Sequence, residues 1–288
     1  MKISKVAALV AAGVLVAALG LFGCSSSSAS SKSSASGSAS ASASSASASA
    51  SSASADATQI KLIQDGKLLV GTSPDYPPFE NLEGDEYVGL DIELINKIAE
   101  KLGLEVEFVS LQFDAIIPAV AAGGQVDLGI SGFTVDPKRA EEIDFTSSYI
   151  IDDQAIAVMK GSDITAENVD DKLASGEFKI AVQTGTSGET YVNENYGDGV
   201  ALGFGNSNDA FAAMQSGQAD AVCTNKAVVE NMLADAYTDA EVVKTIATGE
   251  EYAIVVSKAN PALTAAINGV LAEFAADGTL DALIEKYL

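Results

Sequence analysis

The chain has 288 residues, with 16 basic side chains against 40 acidic ones, and its formal net charge is −24. A charge of this sign and size repels nucleic acid and anionic membrane surfaces. The chain contains no histidine, so the commonest general base, the usual triad partner and the commonest zinc ligand are all absent. The acidic clusters do not keep the spacing of a calcium loop, and we expect no metal site.

Residues 1–23 have the pattern of an export signal, in which Lys2 and Lys5 precede an apolar stretch that ends in small residues. The letters LFGC at its end resemble the lipobox of bacterial lipoproteins. That resemblance implies cleavage before Cys24, lipidation of its sulfur, and a protein anchored by lipid on the extracytoplasmic face of the cell membrane. The alternative is a spanning anchor, for which the apolar run is at the short end.

Residues 25–55 are serine and alanine except for Lys32 and Gly37. Such a segment has no large apolar group with which to offset the entropy lost on ordering. We therefore expect residues 24–58 to form a disordered tether that begins at the lipidated cysteine. An O-glycosylated stalk is the alternative. A tethered receptor suits a cell that lacks an outer membrane, although bacteria with an outer membrane also make lipoproteins.

Strands and helices alternate along residues 59–288, which is the order of an α/β protein. In the first block, the pattern predicts a strand over KLLVGTS, a helix over LDIELINKIAEKLG that ends at Gly103, and a strand over LEVEFVSL. A helix over DAIIPAVAAG follows, and then strands over VDLGIS and QAIAVMK.

A second block repeats this alternation, with strands over FKIAVQT, GVALGF and ADAVCTN and with helices from Ser187, over SNDAFAAMQSG and from Lys226. The strand YAIVVSK and two amphipathic helices that pack back onto the first block complete the chain. Crossings near 150–154 and 249–253 predict a two-strand hinge. One lobe is then 59–150 plus 253–288, the other is 151–252, and ligands of such sheets bind at the carboxyl ends of the strands.

Arg139 is the only arginine of the chain. Its planar fork can grip a carboxylate with two parallel hydrogen bonds, which a lysine cannot do. The stretch ISGFT just before it offers acceptors for an ammonium group, from Ser131, Gly132 and Thr134. A carboxylate fork beside ammonium acceptors predicts a site for a free amino acid. The alternative is a surface ion pair of Arg139 with Glu141 or Glu142.

The second block supplies a matching anion site in VQTGTSGE, where a strand leads through glycine into a helix start. Unpaired backbone N–H groups at a helix N-terminus attract an anion. Thr186 and Ser187 are therefore expected to share the carboxylate with Arg139. Tyr76 in DYPPFE and Phe113 in QFDAI are expected to line the pocket.

Together, the stretches LVGTSPDYPPFE, YVGLDIELINKIAEKLG, QFDAIIPAVAAGGQVDLGISGFTVDPKRAEEIDFTSSY, KIAVQTGTSGE, AFAAMQSGQADAV and NGVLAEFAADGTLDALIEKYL resemble the solute-binding proteins of polar amino-acid ABC importers, family 3. The resemblance covers nearly all of residues 66–288. It implies a two-lobed α/β fold of the periplasmic-binding-protein type, an interlobe amino-acid site, no cofactor and no catalysis. It also implies a monomer whose partners are an ABC permease and its ATPase.

By motif, the resemblance implies ligand contacts at Ser73, Tyr76, Phe113, Ser131, Gly132, Thr134, Arg139, Gln183, Thr186, Ser187, Gly188 and Asn225. Two of these depart from the family pattern. Asn225 stands where members commonly place an aspartate for the α-ammonium group, and Ser73 stands where members that bind basic side chains carry an acid. We therefore expect a neutral polar amino acid. A ligand without a conventional α-ammonium group, or an acidic one, is the alternative.

Two other functions are compatible with this fold. Some relatives are cyclohexadienyl dehydratases, acting on prephenate or arogenate through a carboxylic acid in the cleft, and turnover of such a substrate distinguishes this alternative. Others are ligand-sensing receptor domains, but this chain shows no second membrane span and no cytoplasmic domain that would carry a signal.

Overall fold

The structure is a computed structural model that describes residues 59–288; the predicted signal peptide, Cys24 and the tether lie outside the described residues. The first half of the described chain contains, in order, β1 (Lys67–Thr72), β2 (Asp75–Tyr76), β3 (Glu80–Glu83), β4 (Glu86–Val88), α1 (Leu90–Leu102), β5 (Glu105–Ser110), α2 (Phe113–Ala122), β6 (Leu128–Gly129), α3 (Arg139–Glu142) and β7 (Ile143–Phe145).

The second half contains β8 (Ile150–Met159), α4 (Val169–Ala174), β9 (Ile180–Gln183), α5 (Ser187–Tyr196), β10 (Ala201–Phe204), α6 (Ser207–Gln215), β11 (Ala221–Asn225), α7 (Lys226–Asp235), β12 (Ala240–Tyr252), β13 (Val255–Ser257), α8 (Pro261–Asp277) and α9 (Thr279–Tyr287). Within residues 59–288, none of the helices combines the length and apolar character needed to cross a membrane.

Two five-stranded sheets organise the two lobes. The first has the order β5-β1-β6-β13-β7, and the second has the order β10-β9-β11-β8-β12. In the first sheet β1 runs parallel to β5 and β6, whereas β13 runs antiparallel to β6 and β7. In the second sheet β9 is parallel to β10 and β11, and β8 is antiparallel to β11 and β12. The predicted two-lobed α/β fold is therefore confirmed.

The hinge consists of the long strands β8 and β12, which pair antiparallel from Ile150 opposite Tyr252 to Met159 opposite Ala240. The chain enters the second sheet through β8 and leaves it through β12. The next strand, β13, already belongs to the first sheet. This double crossing is what the sequence predicts near 150–154 and 249–253.

Helix α1 shows how the sequence pattern produces the packing of the first lobe. Leu94, Ile95 and Ile98 lie on one face of the helix and are fully buried. The helix ends at Gly103, which has φ 71° and donates its N–H to the carbonyls of the last turn. Helices α8 and α9 pack against α1, as predicted for the two C-terminal helices.

Some strand predictions were wrong in extent. The predicted strand YAIVVSK is divided between two strands: Tyr252 ends β12, and β13 begins at Val255. Between them, the N–H of Ala253 donates to the carbonyl of Phe133. In VDLGIS only Leu128–Gly129 forms a strand. The small sheet β2-β3-β4 had not been predicted. Its strands are two to four residues long, too short for a period of two to be recognised.

Candidate functional site

A small polar cavity lies where the strand ends of the two lobes meet. Eleven of the twelve residues that the resemblance implied line it, and Glu80 is the further lining residue. The lining residues are Ser73, Tyr76, Glu80, Phe113, Ser131, Gly132, Thr134, Arg139, Gln183, Thr186, Ser187 and Asn225. Gly188 is not among them, because its Cα faces the carbonyl of Cys223 on β11: a Cβ there would lie 3.1 Å from that oxygen.

Arg139 lies between the two lobes. Its Nη1 donates to the carbonyl of Thr134 at 2.8 Å, and its Nη2 donates to the carbonyl of Gly185, in the other lobe, at 2.9 Å. The guanidinium also lies over the stacked rings of Phe113 and Phe133, with its central carbon 5.5 Å and 5.7 Å from the two ring centres. Burial lowers the pKa of Arg139. A guanidinium has five N–H donors, so these two bonds leave donors for a carboxylate.

The surface-pair alternative for Arg139 does not describe its surroundings. Across the described chain, neither Glu141 nor Glu142 makes an ion pair with its guanidinium. The backbone N–H of Arg139 instead donates to Asp136 Oδ1 at 3.1 Å. Its guanidinium is held by the carbonyls of Thr134 and Gly185.

At the start of α5, the hydroxyls of Thr186 and Ser187 both donate hydrogen bonds to other groups of the protein. Thr186 Oγ1 donates to the carbonyl of Gln183 at 2.7 Å and accepts the N–H of Glu189 at 3.2 Å, as an N-cap residue does. Ser187 Oγ donates to Glu250 Oε2 at 2.6 Å. An anion at this helix end is therefore left with the backbone N–H groups of the first turn, which have no intrahelical acceptor.

Tyr76 spans the cleft. Its hydroxyl lies 2.7 Å from Thr224 Oγ1 and donates to Asn225 Oδ1 at 2.7 Å, and both partners are at the end of β11 in the other lobe. Burial raises the pKa of Tyr76, so the phenol stays protonated as a donor. Asn225 thus turns its oxygen toward Tyr76 and its amide nitrogen away from it.

Asp75 lies behind Ser73, close to the position where an acid is expected in receptors for basic side chains. Its carboxylate accepts the Ser73 hydroxyl at 2.6 Å, the N–H of Ser207 at the start of α6, and the Gln183 amide at 3.4 Å. Burial raises the pKa of Asp75. The carboxylate is not part of the cavity lining, so it joins the lobes instead of facing a ligand.

Two fully buried acids, Glu80 and Asp91, lie under the strand end that carries Ser131 and Gly132, and sequence reasoning missed both. Ser131 Oγ donates to Glu80 Oε1 at 2.6 Å, and the N–H of Gly132 donates to Asp91 Oδ2 at 2.9 Å. Burial raises the pKa of Asp91 to about 6 and raises that of Glu80 well above its ordinary value. Glu80 Oε2 and Asp91 Oδ1 are both buried without a hydrogen-bond partner, and the raised pKa of Glu80 favours its neutral form, which could donate to Asp91. Acids embedded in the apolar stretches around Phe79 and Leu90 were the available signal.

Replacing Glu80 by glutamine is expected to flatten the pH dependence of stability. Glu80 ionises near pH 4.3 in an unfolded chain, whereas burial holds its pKa well above that in the folded protein. The folded state then binds more protons, so the free energy of unfolding falls as pH rises from about 4.5, by at most about 1.4 kcal/mol per unit. A glutamine side chain at this position keeps a donor for Asp91 and an acceptor for Ser131 without a proton to lose.

Urea unfolding at several pH values tests this expectation. Glu80→Gln should be close to wild type near pH 4 and more stable by about 1 kcal/mol or more at pH 8. Glu83→Gln, an exposed neighbour on the same strand, is the matched control and should follow wild type at every pH. A constant difference between Glu80→Gln and wild type across the range would contradict a buried, protonated Glu80.

Known proteins resemble the chain over the same region. The ABC transporter glutamine-binding protein GlnH of Bacillus subtilis (strain 168) is 31% identical over 228 residues, covering 77% of this chain and 81% of that protein. The solved structure of an ancestral arginine-binding protein bound to glutamine has a TM-score of 0.70 and 37% identity, covering 78% of this chain and 99% of that chain. The crystal structure of the ancestral amino acid-binding protein AncCDT-1, a precursor of cyclohexadienyl dehydratase, is also similar. It has a TM-score of 0.70 and 35% identity, covering 77% of this chain and 95% of that chain.

Residues 68–288 match the family described as bacterial extracellular solute-binding proteins, family 3. The match includes both sheets, the hinge strands and all the residues that line the cavity. With a two-lobed α/β fold and a polar cleft between the lobes, this chain belongs to the family 3 bacterial extracellular solute-binding proteins.

Proposed function

We propose that the protein is a lipid-anchored receptor of an amino-acid ABC importer, which closes its lobes around one free, neutral polar amino acid and delivers it to the permease. The position of Arg139 is the observation that carries this proposal. Its guanidinium is held by one carbonyl from each lobe and still has donors free for a carboxylate. A carboxylate at this point would contact both lobes at once.

The preference for a neutral side chain rests on the acids around the cavity. The Asp75 carboxylate accepts hydrogen bonds from Ser73, from Gln183 and from the N-terminus of α6. Glu80 does line the cavity, but burial raises its pKa well above the ordinary value, which favours its neutral form. A basic side chain would find no free negative charge in these two acids. The names of GlnH and of the glutamine-bound ancestral protein are consistent with this preference.

Closure of the lobes is the mechanism of the receptor. Tyr76 bonds across the cleft to Thr224 and Asn225, and Arg139 bonds across it to Gly185. Such polar contacts exchange with water at small net cost, so a ligand that touches both lobes can shift the equilibrium between open and closed forms. The permease is then able to distinguish the two forms.

The anchor and the lobe boundaries are part of the proposal. Export by residues 1–23, lipidation of Cys24 and a tether through residue 58 are supported by the N-terminal sequence. Lobes made of 59–150 plus 253–288 and of 151–252 are supported by the strand membership of the two sheets.

Calorimetric titration of the purified protein with the twenty amino acids, cystine and prephenate tests the receptor function. We expect one neutral polar amino acid to bind in the micromolar range or tighter and to raise the melting temperature by several degrees at a concentration about 1,000 times its Kd, because binding then adds about 4 kcal/mol. Binding of lysine or arginine alone would overturn the neutral preference. Binding of no amino acid would overturn the receptor function.

A second candidate is a cyclohexadienyl dehydratase, favoured by the raised pKa of Glu80 in the cavity lining and by the likeness to AncCDT-1. A general acid must give its proton to the substrate, but Glu80 Oε1 accepts the Ser131 hydroxyl and Glu80 Oε2 is fully buried. We therefore expect no new aromatic absorbance when prephenate or arogenate is added. Turnover that is lost in Glu80→Gln would favour the enzyme.

A further inference from the structure

Glu250 lies at an irregularity in the hinge, behind the residues that line the cavity, and contacts three of them. The pairing of β12 with β8 shifts register between Ile246 and Glu250. Within that shift Gly249 has φ 59° and donates its N–H to Asp153 Oδ1 at 3.0 Å. The bend lies where the chain begins to cross back to the first lobe, and it turns the side chain of Glu250 toward residues of both lobes.

The carboxylate of Glu250 accepts hydrogen bonds from four neutral side chains. Oε2 accepts the hydroxyls of Thr134 and Ser187, each at 2.6 Å, and the amide of Asn225 at 3.4 Å. Oε1 accepts the amide of Gln154 at 2.9 Å. Thr134 belongs to the first lobe and Ser187 to the second, so one carboxylate joins the two walls of the cavity.

These contacts decide which way the two hydroxyl protons point. A hydroxyl has one proton and two lone pairs, and Thr134 and Ser187 both give their proton to Glu250. Ser187 Oγ also accepts from Gln154 at 3.0 Å. Both hydroxyls line the cavity, and they therefore present only lone pairs to a ligand. A wall of acceptors backed by a carboxylate suits an ammonium group and repels a carboxylate.

We propose that Glu250 is the negative pole of the ligand site, a positioning residue that orients Thr134 and Ser187 as acceptors for the α-ammonium group of an amino acid. It supplies the charge that Asn225 lacks. Asn225 cannot replace it, because its side-chain oxygen accepts the Tyr76 hydroxyl and its nitrogen faces Glu250. With Arg139 as the positive pole, the site recognises the zwitterion common to all α-amino acids. This inference rests on the proposed function.

The test compares ligands with and without the α-ammonium group. L-Glutamine and its analogue glutaramate are titrated into wild type, Glu250→Gln, Glu250→Asp and Glu251→Gln, and L-arginine and 5-guanidinopentanoate form a second pair. Glu251 is the exposed neighbour on the same strand. Melting temperatures without ligand identify any variant that fails to fold, and Glu250→Asp keeps the charge if Glu250→Gln is unstable.

We expect Glu250→Gln to weaken binding of the amino acid that binds wild type by about 10-fold or more, because Glu250 is half-buried and charge-assisted hydrogen bonds are roughly twice as strong as neutral ones. The matching analogue should lose nothing, Glu250→Asp should recover part of the loss, and Glu251→Gln should stay within about twofold of wild type. An equal loss for amino acid and analogue, or no loss for either, overturns the inference and leaves the receptor function standing. If neither of these two amino acids binds wild type, the same comparison uses the amino acid found by the calorimetric titration and its analogue without the α-ammonium group. Binding of none of the amino acids overturns the receptor function, and this inference with it.

Discussion

Arg139→Ala is expected to lower the affinity for the bound amino acid by about 100-fold or more. Removing one partner of a buried, hydrogen-bonded charge pair costs roughly 2–5 kcal/mol, which corresponds to about 30- to 5,000-fold. We expect a loss above the lower end of that range, because the guanidinium contacts both lobes through Thr134 and Gly185. Its loss removes the carboxylate fork and one of the bonds that hold the closed form.

Arg139→Lys separates charge from geometry. A lysine keeps the positive charge but is a point donor without the planar fork, and it stacks less well on the rings of Phe113 and Phe133. We expect an affinity between those of wild type and Arg139→Ala. Calorimetric titration with the amino acid that binds wild type measures all three proteins.

Lys138→Ala is the matched control for Arg139, since Lys138 is an exposed cation next to it in the chain. Its affinity should remain within about twofold of wild type, because exposed charges contribute little. If Lys138→Ala and Arg139→Ala weaken binding equally, the effect is a general loss of positive charge. The carboxylate clamp would then be wrong.

Gly89→Ala is expected to destabilise the fold by more than about 4 kcal/mol, or to prevent folding altogether. Gly89 has φ 126°, and a Cβ at this position would lie 2.2 Å from the carbonyl oxygen of Phe79 and 2.9 Å from that of Pro78. These oxygens are acceptors for the N–H groups of Asp91 and Leu90. Backbone atoms would have to move, and with them the buried pair of Glu80 and Asp91.

Gly84→Ala is the matched control for the cost of positive φ alone. Gly84 has φ 66°, and a Cβ added there would meet no heavy atom within 4 Å. The left-handed conformation by itself costs about 1–2 kcal/mol for a residue with a side chain. Urea unfolding measures both variants. Equal losses in the two would mean that the close approach at Gly89 relaxes easily.

The position of the negative charge near the ligand site differs between this protein and the family pattern that the resemblance implied. That pattern puts the acid for the α-ammonium group at the end of a strand, where this chain has Asn225. In this protein the nearby carboxylate belongs to Glu250, which lies on the hinge strand β12 and accepts the amide of Asn225. Because the hinge strand joins the lobes, ligand charge and hinge geometry are coupled through one side chain.

The sequence alone determined the α/β order, the helix that ends at Gly103, the two crossings between the lobes and the family. These features depend on local periodicity, turn residues and motif spacing. The sequence also identified Arg139, because a lone arginine after a strand end is a local signal. The prediction that it clamps a carboxylate remains to be tested.

Tertiary structure alone decided how the polar groups around the cavity are used. Burial and the nearby Asp91, on a different element, raise the pKa of Glu80, and Glu250 contacts Thr134 and Ser187 from 116 and 63 positions away. The Asp75 carboxylate is taken up by a helix start 132 positions later. A local pattern shows that an acid is present, but its burial and partners depend on elements that meet only after folding. Only the assembled lobes therefore decide that the carboxylate of Glu250 lies next to the ligand-site hydroxyls, and that Glu80 and Asp75 offer no free negative charge to a ligand.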